Sequence, residues 1–345
     1  MPDSPRHPDR REFLLRAGSA AASVALLPAL SRAWARAGDE PGLSFLDWTE
    51  VRPGLFATDT PDLGGNCLIA KADNDVLLID TKFPVYVRQI ARDAERLAGR
   101  AITRVINTHH HLDHTGGNLE FTFHLPVIAH ENAISRVRAQ ADANRRNVTM
   151  VSRQIAVTPD AFHAALRDDA NDFLSQITKY TEDAWTPTVT LATGVTGLDL
   201  GGRWLEIHHF GRPSHTDNDL VIHFPEDNVV HAGDLVFNKL NPYFDINGGV
   251  SAQGWLKSLN DLLALCDDST VVVPGHGPIT NIDGVRAQIS YLQQLWDTVL
   301  AAVEKGRPLE KLKTRIWPFM EGLGLEQARP LAIEAVYLEI KANQP

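Results

Sequence analysis

Residues 107–118 read NTHHHLDHTGGN and place four histidines and one aspartate within the six positions from His109 to His114. In a chain whose formal net charge is −10, the chemistry open to such a group is the binding of metal cations. Two histidines separated by one residue in a strand-to-loop segment project to the same side, so His109 and His111 can share one metal while His110 points elsewhere. Asp113 and His114 follow in a turn closed by Gly116-Gly117, where backbone freedom lets ligands converge on a second point. One short loop can thus feed two metals. Each needs further donors, because zinc is commonly four-coordinate with N and O ligands at about 2.0–2.2 Å.

Those donors stand at the ends of strand-like runs. After Trp204–Phe210 comes Gly211-Arg212-Pro213-Ser214-His215, after Val229–Ala232 comes Gly233-Asp234, and after Val271–Val273 comes Pro274-Gly275-His276-Gly277. Ligands on glycine-framed turns at strand ends are what an open metal site on a rigid scaffold requires. The other histidines, His124, His130, His163, His208, His209, His223 and His231, read as satisfied structural residues.

The elements that must position these donors are short. Apolar runs at Val76–Asp80, Arg104–Asn107, Val127–Ala129, Trp204–Phe210, Asp219–Phe224, Val229–Ala232 and Thr270–Val273 predict strands. Val87, Ile90, Ala91, Ala94 and Leu97 share one helical face with Gly99 as its stop, and Val285, Ile289, Leu292, Trp296, Val299 and Val303 form a second stripe. Residues 131–185, with Pro159 dividing two helical stretches, predict a helical insertion that forms either a lid carrying Trp185 or a packed extension. Interleaved strands and helices give an α/β architecture.

With 345 residues, 43% of them hydrophobic, the chain can bury a large core. Its acidity and the lack of a basic stripe argue against nucleic acid as a partner. Residues 1–37 are basic and leave the remainder at roughly −13 before any cation is counted. Arg10-Arg11-Glu12-Phe13-Leu14-Leu15-Arg16 resembles a twin-arginine export signal, followed by the apolar run Ala17–Leu30 and an Ala35-Arg36-Ala37 cleavage site. The run is shorter than the roughly 20 residues of a membrane span. The expectation is a signal peptide at 1–37, passage through the twin-arginine machinery, and a periplasmic mature chain, 38–345, without a membrane span. Cys67 and Cys266 lack zinc-ligand spacing and read as unpaired core cysteines.

Leu77-Leu78-Ile79-Asp80-Thr81, Thr108 to Gly117, His215, Gly233-Asp234 and Pro274-Gly275-His276-Gly277 together resemble the metallo-β-lactamase superfamily, in its order, across roughly residues 43–280. The resemblance implies a four-layer αββα sandwich with the helical insertion at about 131–185 and C-terminal helices at about 282–342. It also implies that His109, His111 and His215 hold one metal, that Asp113, His114 and His276 hold a second, that Asp234 bridges them, and that Asp80 orients the ligand loop. Two zinc ions, or iron in their place, are the cofactors so implied. A metal pair lowers the pKa of a shared water and presents hydroxide to a carbonyl or phosphoryl centre, with Asp113 orienting the nucleophile.

The bond cleaved is less defined. True β-lactamases of the superfamily usually carry Cys or Ser where this chain has Asp234, and one subclass has Lys where it has Phe237. Aspartate there resembles the glyoxalase II, lactonase and phosphodiesterase branches, while Gly211–Val221 and the export signal resemble exported zinc hydrolases associated with periplasmic quinoprotein systems. The expected activity is hydrolysis of a small ester, thioester, lactone or related substrate. A β-lactam hydrolase and a mononuclear-iron persulfide dioxygenase are the alternatives. Phe237, Asn238, Lys239, Asn241, Pro242 and Tyr243 are expected to line the substrate site, with Lys239 facing either a substrate carboxylate or solvent.

The export reading has a direct test. The translocation pathway reads the guanidinium pair and not charge alone, so Arg10→Lys combined with Arg11→Lys should strand the protein in the cytoplasm. Cell fractionation showing an undiminished periplasmic yield would sink it.

Overall fold

The run Val76–Ile79 is apolar at every position, which in a strand means burial on both faces. Leu77 and Ile79 indeed enter one core while Val76 and Leu78 enter another. This is the period of two that places a strand inside a layered structure. The computed structural model describes residues 44–59, 64–159 and 161–343, so the expected export segment at 1–37 lies outside the described residues.

The first sheet has seven strands in sequence order: β1 (Trp48–Arg52), β2 (Leu55–Thr58), β3 (Leu68–Lys71), β4 (Val76–Ile79), β5 (Arg104–Ile106), β6 (Val127–His130) and β7 (Val189–Leu191). β1 to β4 form an antiparallel meander, and β4 to β7 pair in parallel. The second sheet contains β8 (Gly194–Asp199), β9 (Trp204–His209), β10 (Val221–Phe224), β11 (Val229–Phe237) and β12 (Val271–His276), ordered β12-β11-β10-β9-β8. β9 and β11 each run antiparallel to β10, and β12 runs parallel to β11, so β9, β11 and β12 all deliver their C-terminal ends to one edge.

Leu55, Leu68, Leu77, Ile79 and Ile106 of the first sheet face Leu205, Ile207, Ile222, Phe224, Val229 and Val273 of the second. Outside the first sheet pack α1 (Val87–Ala98), α3 (Glu131–Val157) and α4 (Ala161–Gln176), while the single turn α2 (Leu112–Thr115) carries the ligand loop. α1 stops at Gly99, whose φ of +79° glycine adopts without strain. Outside the second sheet lie α5 (Ala252–Ala264), α6 (Ile282–Glu304) and α7 (Arg329–Ala342), which cover Val221, Val230, Val236 and Val272 with Trp255, Leu259, Leu292, Val299 and Val336. The layers are therefore αββα, as expected. Among the described residues no helix is long and apolar enough to cross a membrane.

Several expectations need correction. β1, β2, β7 and β8 lie outside the apolar runs that predict strands: β1 and β8 are interrupted by charged or glycine residues such as Glu50, Arg52 and Gly197, and β2 and β7 are only four and three residues long. β11 runs five residues past its expected end at Ala232, and Asp234 lies inside it. The helical insertion breaks after Val157, next to Pro159, and Trp185 at its end is fully buried with Phe173, Val137 and Val148 in the core outside the first sheet. Cys67 and Cys266 are both free.

The inter-sheet core sets a stability test. Phe224→Ala removes a fully buried ring and should cost about 3–5 kcal/mol, whereas Val195→Ala, at a side chain 64% exposed on β8, should change stability by less than about 0.5 kcal/mol. Urea unfolding of the two variants should differ accordingly, and equal midpoints would contradict the layering.

Candidate metal centre

The ligand loop is fastened before it is functional. Asp80 N donates to Ile106 O (2.8 Å) and Thr81 N to His114 O (2.9 Å), tying the exit of β4 to the exit of β5. Asn107 Nδ2 also donates to His114 O (3.1 Å), and Asn118 Nδ2 donates to Asn107 Oδ1 (2.8 Å) and Trp185 O (3.0 Å). Gly116 and Gly117 serve close approach, not the backbone freedom expected of them. A Cβ on Gly117 would stand 2.5 Å from Thr81 O, and one on Gly116 2.6 Å from Pro84 Cδ. Gly116 itself is right-handed helical, with φ −60°.

Two groups of donors result. His111 Nδ1 lies 2.9 Å from His109 Nε2 and 3.2 Å from His215 Nε2. His276 Nε2 lies 3.2 Å from Asp113 Oδ2 and 3.3 Å from His114 Nε2. Asp234 stands between the groups: Oδ2 is 3.4 Å from His215 Nε2, 3.6 Å from His109 Nε2 and 3.4 Å from His276 Nε2, and Oδ1 is 3.2 Å from His114 Nε2. It reaches this position from an irregular part of β11, where Gly233 has φ +51° and the pairing with β12 shifts. A Cβ on Gly275 would meet Asp234 Oδ1 at 2.0 Å, so the neighbouring strand is cut back to admit the carboxylate.

The tautomers follow from what the outward nitrogens touch. Thr108 Oγ1 donates to Asp80 Oδ2 (2.7 Å), so toward His109 Nδ1 (3.1 Å) it accepts, and the His109 proton is on Nδ1. His114 Nδ1 donates to Asp80 Oδ2 (2.7 Å), His215 Nδ1 to Tyr243 O (3.0 Å) and His111 Nε2 to Asp245 Oδ2 (2.8 Å). With those protons placed outward, the inner nitrogens of these four rings, crowded at about 3 Å, are the ones turned toward a shared cation. Four donors at about 2.0–2.2 Å from one cation stand about 3.3–3.6 Å apart, so the set fits divalent metal ions.

Electrostatics point the same way. Burial drives His109 well below the ordinary imidazole range and His215 down to about 3, so both are neutral ligands at pH 7. For His276 burial also acts downward, but Asp234 and Asp113 outweigh it and lift the ring to about 9; Asp234 and Asp80 likewise raise His114. Without a metal these carboxylates hold protons on the rings, and a cation entering the site displaces them.

Every ligating residue expected from sequence converges here, and His110 stays outside, accepting at Nδ1 from Asn218 Nδ2 (3.0 Å). Asp113 and His276 are 23% and 16% exposed while His114, His215 and Asp234 are buried, so the site opens on the Asp113 side. Of the residues expected to line it, Phe237 stacks on His276 (5.1 Å, 16°) and Tyr243 stands edge-on to His111 (5.8 Å). Asn238 and Asn241 turn away to bond Pro278 O and Gly324 O, and Lys239 is solvent-exposed.

Three contributors have no sequence signal of their own. Asp245 lies in a plain loop; only the Asn247-Gly248 pair after it marks the turn that aims its carboxylate. Thr108 stands inside the histidine motif, but a threonine there marks no role by its type. Lys82 is fully buried and donates from Nζ to Gly65 O (2.7 Å), pressing against His114 a segment in which a Gly65 Cβ would meet the ring at 2.1 Å. A groove of about 1010 Å³ between α3 and Ile177–Glu182, lined by Arg145, Met150, Arg153 and Tyr180 among others, touches none of the donors.

Fold and site define a metallohydrolase-type α/β sandwich, and likeness to known proteins agrees. A model of the metallo-beta-lactamase superfamily matches residues 60–276, and the chain belongs to that superfamily. An uncharacterized protein of Mycobacterium tuberculosis is 36% identical over 103 residues, 28% of this chain and 45% of that protein, so the chain spans less than half the length of this relative. The probable metallo-hydrolase YqjP of Bacillus subtilis is 27% identical over 242 residues, 66% of this chain and 72% of that protein. A metallo-beta-lactamase from Pontibacter korlensis superposes with a TM-score of 0.52 at 19% identity, covering 72% of this chain and 99% of that one. The inverting sec-alkylsulfatase Pisa1 from Pseudomonas gives 0.60 at 19% identity, covering 87% and 52%. The two structural likenesses show the fold.

Asp245 offers the test of this geometry. Asp245→Ala frees His111 Nε2 and lets the ring turn or change tautomer, so zinc affinity should fall about 10–100-fold while the fold persists. Competition against a chromophoric chelator measures it, and an unchanged affinity would show that the His111–Asp245 contact has no orienting role.

Proposed function

We propose that the chain is a binuclear zinc hydrolase of small esters, thioesters, lactones or related substrates. The observation that carries this reading is the convergence of inward imidazole nitrogens from His109, His111, His114 and His215 around the buried Asp234 carboxylate, with Asp113 and His276 completing the set. His109, His111 and His215 would hold one ion, Asp113, His114 and His276 the other, and Asp234 would serve both. Zinc bound there supplies Lewis acidity and brings a shared water toward a pKa of about 7.

The chain's own residues do the rest. Asp113 is the most exposed carboxylate of the set and faces the opening by which substrate and water arrive. Its negative charge, kept ionised because His114 and His276 outweigh the upward push of burial, accepts a hydrogen bond from the attacking water and fixes its direction. Phe237 and Tyr243 wall the site with apolar ring surface, which restricts bulk water and suits a small organic acyl group. Aspartate at 234 and phenylalanine at 237 weigh against a dedicated β-lactam hydrolase. We further infer that the mature chain acts in the periplasm, supported by the Arg10-Arg11 signal pattern.

Two measurements test the reading together. Metal analysis of purified protein should find close to two zinc ions at the ligand set, whereas a single iron with oxygen-dependent turnover would select the dioxygenase alternative. Asp113→Asn keeps side-chain size and one oxygen donor but removes the charge, so with zinc in excess kcat should fall at least on the order of a hundredfold. The assay is a chromogenic panel of ester, thioester, lactone, phosphodiester, β-lactam and secondary alkyl sulfate. Parent-like turnover by the zinc-loaded variant would reject the role given to Asp113.

A further inference from the structure

On the outer face of the second sheet, away from the ligand edge, three more donors meet. Leu205 and Ile207 of β9 and Ile222 and Phe224 of β10 point into the inter-sheet core, so the intervening Glu206, His208 and His223 share the opposite face. Register reinforces this: His223 is paired directly across from Glu206, and Val221 from His208. Cross-strand and diagonal neighbours on one face are close enough to share a ligand.

The contacts are those of an incomplete coordination set. Glu206 Oε2 lies 3.1 Å from His208 Nε2 and 3.5 Å from His223 Nδ1, and the three donor atoms all fall within 4.8 Å of one another. His223 is 8% exposed, and its Nδ1 reaches Glu206 Oε2 only at a long 3.5 Å, which leaves a buried ring nitrogen poorly satisfied. By type and spacing these histidines are indistinguishable from satisfied core residues, but one of the pair is only weakly satisfied. Burial holds the His223 ring below the ordinary imidazole range, with Glu206 as the opposing influence, so it presents a neutral nitrogen at pH 7. The Glu206 side chain is 33% exposed, which leaves one side of the group open to water.

We propose that Glu206, His208 and His223 form a second, separate metal site that takes one zinc-class transition-metal dication, with solvent completing a four-coordinate shell. Two imidazoles and one carboxylate suit such ions, and the donor separations of 3.1 and 3.5 Å lie close to the roughly 3.3–3.6 Å expected around a tetrahedral ion. None of the three residues belongs to the centre between the sheets. An ion there would clip β9 to β10 on the face away from the first centre, holding that strand pair together without taking part in the first centre's chemistry.

The test counts ions by difference, so it does not depend on how full the first centre is. Full-length parent, His208→Gln and His223→Gln are dialysed to equilibrium against the same buffered zinc, and metal per chain is measured. Each variant should hold one ion fewer than the parent while hydrolysing the best substrate of the panel at the parent rate. Glu206→Gln alters only a half-buried side chain and keeps its size, so it guards against a folding defect in the histidine variants; it should weaken the extra ion at least about tenfold. Equal metal content in the parent and all three variants overturns the proposal.

Discussion

A neutral imidazole can offer a lone pair to a cation only if its proton sits on the other nitrogen, and a buried N–H must find an acceptor. That requirement organises the centre. Thr108 Oγ1, the Asp80 and Asp245 carboxylates and the Tyr243 carbonyl each accept from one ring, so the inward nitrogens of His109, His114, His111 and His215 are the ones left to face a cation. Asp80 serves twice over, accepting from Thr108 N and Oγ1 (2.7 Å each) as well as from His114. It does so with φ at +59°, a conformation that costs a non-glycine residue about 1–3 kcal/mol and persists only where its surroundings impose it.

The layered fold is what brings these acceptors into register. Asp80 ends β4, the ligand loop follows β5, and the parallel pairing of the two strands sets their exits side by side. His215, Asp234 and His276 come from the second sheet, where β9, β11 and β12 share a direction. Leucine, isoleucine and valine between the sheets fix the spacing of these two edges, and close-packed interiors do not deform continuously, so the donors from the two sheets are held close to one another. Small residues then clear the space: Gly65 against His114, Gly233 against Thr108 and Gly275 against Asp234 each leave no room for a Cβ.

This division explains what could be read from sequence. Metal donors need particular atoms, so His109, His111, Asp113, His114, His215, Asp234 and His276 stand out by type and spacing, and strongly apolar strands such as Val76–Ile79 stand out by burial on both faces. Acceptors need only an oxygen in the right place. A hydroxyl, a main-chain carbonyl and one aspartate among many carry no type signature, which is why Thr108, Tyr243 O and Asp245 emerge only in three dimensions. Strands with solvent-facing charge or glycine, β1 and β8 above all, are equally quiet because tertiary pairing and not local pattern makes them strands.

The helical insertion acquires its purpose from the same constraint. α3 lies against the first helical layer, but Arg136 extends from it to pair with Asp217 and to donate to Asn247 O (2.8 Å). Asn247 N in turn donates to Asp245 Oδ1 (3.1 Å), and the other oxygen of Asp245 holds His111. Asp217 lies two residues beyond His215, and its carbonyl also accepts from Asn132 Nδ2 of α3 (3.1 Å). One helix therefore braces both the turn that orients His111 and the segment that presents His215. A buried Trp185 at the far end of the insertion anchors that end in the core. The insertion thus touches the site through the residues that orient its donors, on the side away from Asp113 with its Phe237 and Tyr243 walls.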